Sequence, residues 1–512
     1  MLAFPFYAAG FLISTLALVG WFYFQRRTDI SRLFRFLLFA GLGIYLISML
    51  AAALPFEVKM SAIVRDLLLI GGTGLLFQVL VRKRPAFFFG LMALGIVLFW
   101  YYKNHLQPTM AYTTPAAVEL DEHGELLVEI LEGKDIASLD ELMEQYDIRY
   151  APAFTLSFPE ATDLDDYYVL DIPEQQAERL QEIERALSQS PVVEWVEPNE
   201  VITVDPDIPA KLPDDIRDKF GIDDPGLEYL WGFKEMGIDQ LYTYLDKHKV
   251  KPKRQALIAI LDTGVDAEHE DLQDNYKSTQ SKYDNDPRGH GTHCAGIAAA
   301  VSNNGVGVAS FSRNNEFVQV TSIKVLSALG SGTQRSIING MLEAADKNAD
   351  VISMSLGGRS TQSRQRAYEK AVKYANKKGA IVVAAAGNSN RNAKEFAPVN
   401  AAGVIGVSAV DESVNRAVFS NYITDLEMGI AAPGVNIYST IPGSKYASFS
   451  GTSMATPYVA GMLGLLKSLD PDLTTEEAYQ ILDKTGAKTK ATRETGRLIQ
   501  PQHAVQLLME KR

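Results

Sequence analysis

The chain has 512 residues, 47% of them hydrophobic, and its 49 Lys and Arg against 62 Asp and Glu leave a net charge of −13. That length exceeds one ordinary domain of about 100–200 residues. The acid excess, with no basic face or stripe after residue 102, excludes a nucleic-acid partner, and the single cysteine, Cys294, excludes an internal disulfide and leaves the redox compartment unread.

Residues 4–24, 33–54, 67–81 and 86–102 are apolar stretches. A membrane span takes about 20 apolar residues, with roughly 17 as the lower limit. The first two suffice and the fourth is marginal. The third needs Arg65 and Asp66 near the interface, or a locally thinned bilayer. The start MLAFPF carries no positive charge ahead of its apolar run, unlike a cleaved secretory signal, and reads as a retained first span. The connections QRRTDISRLFR and RKR are the basic ones. By the positive-inside rule they face the cytoplasm, which puts the N-terminus and everything after residue 102 outside. Residues 1–103 are therefore expected to be a membrane domain of about four helices in contact with the lipid bilayer. A channel, transporter or sensor is the alternative. With Arg65 and Asp66 read at an edge and Gln78 isolated, an anchor is the better reading.

Residues 119–204 alternate in type. ELLVEIL reads as a strand, SLDELMEQY as a helix, YAPAFTLSF and YYVLDIP as two strands, AERLQEIERALSQ as a helix and VVEWVEPNEVITV as a last strand. The order is the split βαβ pattern, expected as a small α+β ferredoxin-like domain, although the order alone fits any small α+β module. The Pro- and Asp-rich stretch 205–224 that follows has no apolar period and reads as an exposed linker.

From residue 256 the chain turns to α/β character. ALIAILDTGVD suits a buried parallel strand ending in Asp262, where open α/β sheets place their ligands. GHGTHCAGIAAAV puts His290 at the start of an Ala-rich helix, and AIVVAAAGNSN is a strand ending near Asn388. SFSGTSMATPYVAGM places Ser453 at a further helix start, where it is either a plain cap or a nucleophile aided by backbone N–H groups and the helix dipole. Peptide-bond cleavage needs these four types together. Serine needs a base to take its proton, the imidazole needs a carboxylate to orient it, and the tetrahedral oxyanion needs N–H donors such as Asn388 and the backbone of Ser453. His293 makes an H-x-x-H pair with His290, but nothing completes a zinc set and a structural role is expected; Cys294 reads as a packed small side chain.

The motifs ILDTGVD, GHGTHCAG, MSLGG, AAAGN and GTSMATP, in that order, resemble those of the subtilisin family of serine proteases, and the resemblance covers roughly residues 225–505. It implies a subtilisin-like α/β domain with a mostly parallel sheet over 225–512. It also implies an acyl-enzyme endopeptidase for extended protein or peptide substrates, with no cofactor required. Asp262 is similar to the family's carboxylate, His290 to its base, Ser453 to its nucleophile and Asn388 to its oxyanion donor. Gly330, Ser331 and Gly332 resemble one edge that pairs with substrate and Ser355, Leu356 and Gly357 the other; Ala384, Ala385, Ala386 and Gly387 resemble one wall of the pocket before the cut. The far side of that pocket, near EFAPV, departs from familiar versions and leaves specificity open. Asp271, Asn303 and Asn304 match positions where some members bind a structural calcium, although the SNNGVGV loop differs in length from the calcium-binding form. The middle domain is similar to the inhibitory propeptides of the family, which makes it the chain's own partner. With the spans, this implies an integral protein of a bacterial cytoplasmic membrane whose catalytic domain is extracytoplasmic or periplasmic. An inactive subtilisin fold kept as a binding or regulatory module is the contrary reading, and no catalytic side chain is missing to favour it.

Overall fold

The computed structural model describes residues 3–25, 27–51, 56–81, 83–101, 121, 124–203, 220–360 and 365–511. Most of the expected linker, 205–219, lies outside the described residues, as does 102–118. The chain forms two compact units, Met1–Val118 and Glu119–Arg512.

The first unit contains helices α1 (Ala3–Tyr23), α2 (Thr28–Ala51), α3 (Phe56–Leu80) and α4 (Arg84–Tyr101). Two windows, Thr28–Met49 and Ile63–Leu80, are long and apolar enough to cross a membrane, while Tyr7–Tyr23 and Pro85–Leu98 are shorter apolar helices. Small residues let α1 and α2 approach closely: a Cβ on Gly10 would stand 2.5 Å from the Tyr45 nitrogen. Asp66, near the start of that second window, is fully buried. Its carboxylate accepts from Tyr7 Oη at 2.5 Å, Tyr45 Oη at 3.1 Å, Arg65 Nε at 2.9 Å and the Tyr101 hydroxyl. Every helix contributes a polar group, so one anion joins all four. A pattern of apolar runs carries no trace of this, because three of the four donors are tyrosines that count as apolar.

The second unit holds both remaining regions. Its first part contains β1 (Leu126–Ile130), α5 (Asp140–Tyr146), β2 (Arg149–Pro152), β3 (Tyr167–Asp171), α6 (Leu180–Ser188) and β4 (Val193–Pro198), then a short strand β5 (Val201–Thr203). The four longer strands form an antiparallel sheet in the order β2-β3-β1-β4. Ile183 and Leu187 of α6, with Met143 and Tyr146 of α5, cover the face that carries Leu126, Val128 and Ile130.

The larger part is built on a six-stranded parallel sheet. Its strands are β6 (Ala256–Asp262), β7 (Val318–Lys324), β9 (Val351–Met354), β10 (Ile381–Ala385), β11 (Val404–Val410) and β12 (Gly429–Pro433), in the order β12-β11-β10-β9-β6-β7. A separate short strand, β8 (Ser331–Thr333), lies outside this sheet. Helices cover both faces, so β6, β10 and β11 are buried along their whole length and need continuous apolar runs rather than alternation. On one face lie α7 (His290–Ala299) and α10 (Thr452–Leu469), the latter buried at every residue; on the other lie α8 (Gln334–Asp346) and α9 (Arg366–Lys377).

Candidate active site

β6 delivers Asp262 as its last, fully buried residue. Its two oxygens lie 2.8 and 2.9 Å from His290 Nδ1, and the Thr263 N–H donates to Oδ1 at 2.7 Å. A carboxylate here draws the proton to Nδ1 and leaves Nε2 as the basic nitrogen. His290 opens α7, after Gly289 at φ 93. Asp286 fixes that helix start. Its Oδ1 accepts from Thr263 Oγ1 at 2.8 Å and the Gly289 N–H at 2.9 Å, while Oδ2 accepts from the Thr292 N–H and Oγ1, both at 2.8 Å. One carboxylate thus cross-links the loop after Asp262 to the positive end of the helix that carries His290. The sequence reading passed over Asp286; the signal was an acid just ahead of a helix start. Gly291 permits the same close approach, since a Cβ there would stand 2.1 Å from the Gly264 carbonyl oxygen.

Ser453 is the second residue of α10, and its Oγ donates to the Ser355 carbonyl at 3.1 Å. Pro457 stands four residues further on and has no N–H to give back to the Ser453 carbonyl. That carbonyl accepts instead from Ser355 Oγ at 2.7 Å and Cys294 Sγ at 3.5 Å. The Cys294 sulfur, a His290 ring nitrogen and an Asp262 oxygen all lie within 4.8 Å of one another. One small side chain therefore bridges the backbone of Ser453 and the Asp262–His290 pair.

Asn388 follows β10. Its Oδ1 accepts from the Thr452 N–H at 2.8 Å and Thr452 Oγ1 at 3.0 Å, and Thr452 Oγ1 in turn accepts from the Gly387 N–H at 3.0 Å. With the oxygen committed, the amide nitrogen turns toward Gly451. A Cβ on Gly451 would sit 3.2 Å from Asn388 Nδ2 and 3.6 Å from the Ser453 nitrogen. The two nitrogens thus flank the same space beside Gly451.

The two expected substrate edges both meet β5. Val201, Ile202 and Thr203 pair antiparallel with Thr333, Gly332 and Ser331 of β8, and Thr203 also bridges to Gly357. An extended piece of the middle region thus runs between the loop containing Gly330 and the one containing Ser355, Leu356 and Gly357. Ile202 is buried, 1% exposed, in one apolar cluster with Leu326, Leu356 and Phe396. The flanking contacts are polar. The Gln334 N–H donates to the Glu200 carbonyl at 2.8 Å, the Arg335 N–H to Asn199 Oδ1 at 3.1 Å, and the Ala367 N–H to Glu197 Oε1 at 3.1 Å. Ala384 and Ala385 end β10 and Ala386 and Gly387 follow it, with Asn421 Nδ2 donating to the Ala386 carbonyl at 2.8 Å.

Residues 253–498 match the model of the subtilase family. Thermitase of Thermoactinomyces vulgaris is 46% identical over 218 residues, covering 42% of this chain and 75% of that protein. The chain belongs to the subtilase family. A thermophilic serine proteinase of Bacillus sp. (strain AK1) is 38% identical over 313 residues, 60% of this chain and 71% of its own length. A solved protease structure from Pseudoalteromonas arctica PAMC 21717 superposes with a TM-score of 0.50 at 29% identity, covering 56% of this subtilase and 99% of that chain. This subtilase is a serine endopeptidase with an Asp-His-Ser triad.

Two further expectations concern ligands. His293 is buried, its Nε2 donates to the Ala447 carbonyl at 3.0 Å and its ring stacks on Phe449; burial pushes it down to about 3, so it stays neutral. Among the described residues, Asp262, His290 and Cys294 form the one convergent group of three ligand-type side chains, and Asp262 and His290 use each other. The expected calcium residues are adjacent but engaged with protein N–H groups. Asp271 Oδ1 accepts from Asn304 Nδ2 at 3.0 Å and Oδ2 from the Val308 N–H at 2.7 Å. Asn303 Oδ1 accepts from the Asp223 N–H and Asn304 Oδ1 from the Val306 N–H. Calcium takes six to eight oxygen ligands at about 2.3–2.6 Å, and the buried Asp271 carboxylate with the Asn304 amide beside it is the kind of oxygen donor such a site uses.

Proposed function

We propose that this subtilase is a membrane-tethered endopeptidase that acts outside the cytoplasm and is held inactive by its own region 119–203 until that region leaves the cleft. Asp262 orients and steadies His290. His290 takes the Ser453 Oγ proton as that oxygen attacks the peptide carbonyl, and gives it to the leaving amine. Asn388 Nδ2 and the Ser453 N–H receive the oxyanion. Water, activated by the same histidine, then releases the acyl group. The route uses only the chain's own groups, and the expected substrates are proteins or peptides that enter extended, by strand addition.

The observation that carries the inhibitory part is β5 between the two cleft edges. A strand there takes the backbone hydrogen bonds that an extended substrate would need. The strand–helix–strand–strand–helix–strand order and the sheet order β2-β3-β1-β4 support a ferredoxin-like, propeptide-like domain. Tethering is supported by the two long apolar windows, the two shorter apolar helices and the basic connections between them.

A fluorophosphonate probe on the purified full chain tests the reading. Labelling is expected to be slow at first, to rise as region 119–203 is released, and to vanish in Ser453→Ala. A correctly folded wild type that never labels would favour a binding module. Alkaline phosphatase fused after residue 103 should be active in an exporting cell; a silent fusion, with a fluorescent cytoplasmic reporter at the same site, would overturn the orientation.

A further inference from the structure

The catalytic region meets region 119–203 through two helix starts and two cations, and each of them takes an oxygen from that region. α9 begins without a side-chain cap of its own, and its Ala367 N–H is given to Glu197 Oε1 at 3.1 Å. In α8 the Thr333 hydroxyl serves the Ser336 N–H, while the N–H groups of Gln334 and Arg335 go to the Glu200 carbonyl at 2.8 Å and to Asn199 Oδ1 at 3.1 Å. On α9, Arg366 pairs with Glu129 at 3.2 Å and with Glu194, and Lys370 with Glu129 at 2.5 Å and Asp163 at 3.3 Å. Among the described residues, every ion pair of these two cations is made to region 119–203.

Release of region 119–203 bares these groups together. Arg366 and Lys370 lose their carboxylates, and helices of 13 and 12 residues expose N–H groups at their positive ends. α9 then presents Arg366, Lys370, Lys373 and Lys377 against the single acid Glu369. The docked region does not use every polar group there. Gln334, Gln365 and Tyr368 are buried, and both side-chain amides and the Tyr368 hydroxyl have no partner among the described residues. The surface also lies on the path of a substrate. Val201 of β5 pairs with Thr333, the residue before α8, and Glu200 stands directly ahead of it. A peptide that enters in the place and direction of β5 therefore sends its upstream residues over the start of α8 toward that of α9.

We infer that the bared starts of α8 and α9, with Arg366 and Lys370, form an accessory surface that binds an acidic segment of protein substrates on the N-terminal side of the bond to be cut. This rests on the endopeptidase reading above and specifies which substrates that enzyme favours. None of these groups touches a reacting atom, so the surface acts through substrate binding.

Two quenched fluorescent peptides test it on the purified full chain, once fluorophosphonate labelling has reached its plateau. Both carry VIT followed by an identical stretch that holds the cut. Ahead of VIT one carries VEWVEPNE, the sequence of residues 193–200, and the other VQWVQPNQ. At about 50 mM salt the acidic peptide is expected to show a kcat/KM roughly 5- to 20-fold higher, mostly through KM, from a few exposed charge pairs and helix-end contacts. The advantage should shrink to about twofold at about 0.5 M salt. In a chain carrying Arg366→Gln and Lys370→Gln the ratio between the two peptides should fall to about twofold at low salt as well; being taken within one protein, the ratio does not depend on how much of it is folded. If that double variant does not fold, Lys370→Gln alone serves for the same comparison with a smaller fall. Equal kcat/KM for both peptides in the parent would overturn the inference and leave the endopeptidase reading standing. An acidic advantage that persists undiminished in the variants would overturn it too. A chain that cuts neither peptide would overturn both.

Discussion

Asn388 and Asp286 affect the reaction at different removes, and kinetics separates them. Asn388 Oδ1 is anchored by Thr452, which leaves its amide nitrogen beside the Ser453 nitrogen at the space that Gly451 keeps open. A donor that meets charge only in the transition state affects kcat and not ground-state binding. Asn388→Ala should lower kcat by roughly 100- to 1,000-fold with KM little changed; equal losses in both, or none, would remove it from the oxyanion site. Asp286 touches no reacting atom, but its carboxylate joins Thr263 to Gly289 and Thr292 and so sets where His290 stands relative to Asp262. Asp286→Asn keeps one acceptor and replaces the other with a donor facing Thr292. It is a positioning change: kcat on a peptide substrate should fall about tenfold with KM held, well below the unfolding midpoint of either protein. A lower midpoint with unchanged kcat would make Asp286 a purely structural cap.

The start of α10 shows how an element can be shaped for chemistry at some cost in helix stability. A proline inside a helix costs roughly 3 kcal/mol relative to alanine. Here Pro457 releases the Ser453 carbonyl to Ser355 Oγ and Cys294 Sγ, which tie the serine's backbone to the expected substrate edge and to the helix that carries His290. Pro457→Ala supplies an N–H that draws that carbonyl back into the helix. The midpoint should hold or rise while kcat drops about tenfold, measured by calorimetry and a chromogenic peptide; a lower midpoint with full kcat would leave the proline a packing role only. Element ends were the legible part of the sequence. Asp262, His290, Asn388 and Ser453 each stand where an apolar strand or Ala-rich helix meets glycine, so period and punctuation locate them. Asp286, Pro457 and the tyrosines around Asp66 were not legible, since each works through a partner that sequence distance or residue class conceals. β5 was legible only as the end of a single last strand with β4; the break between them at Asn199 and Glu200, and the pairing with residues 331–333 more than a hundred positions away, were not.

At the scale of the whole molecule, the middle region and the catalytic region count as one compact unit because a charged seam joins them as well as β5. Glu129 takes Lys370 at 2.5 Å and Arg366 at 3.2 Å, while Tyr167 Oη donates to it at 2.8 Å. Glu197, fully buried beside Trp195 and the start of α9, makes no ion pair among the described residues; burial, with a smaller push from the Glu129 carboxylate, raises it to about 7 from its usual 4.5, against the lowering effect of the Ala367 N–H, Trp195 and the Arg366 N–H. On release the carboxyl returns to water and to its ordinary range. Between about pH 4.5 and 7 the closed form therefore holds a proton that the open form has lost. Closure keeps this contribution in full below the lower value and loses it as pH rises through the upper one. Alkaline conditions should loosen the inhibitor and mild acid should tighten it. Hydrogen exchange at residues 201–203 in the Ser453→Ala chain reads the opening directly. After correction for intrinsic rates, it should grow roughly 10- to 100-fold from about pH 5 to pH 8. In Glu197→Gln, which cannot ionise, the corrected opening should be flat over the same range. A parent chain whose corrected exchange is equally flat would show that Glu197 is ionised in the closed form and that the seam does not sense pH.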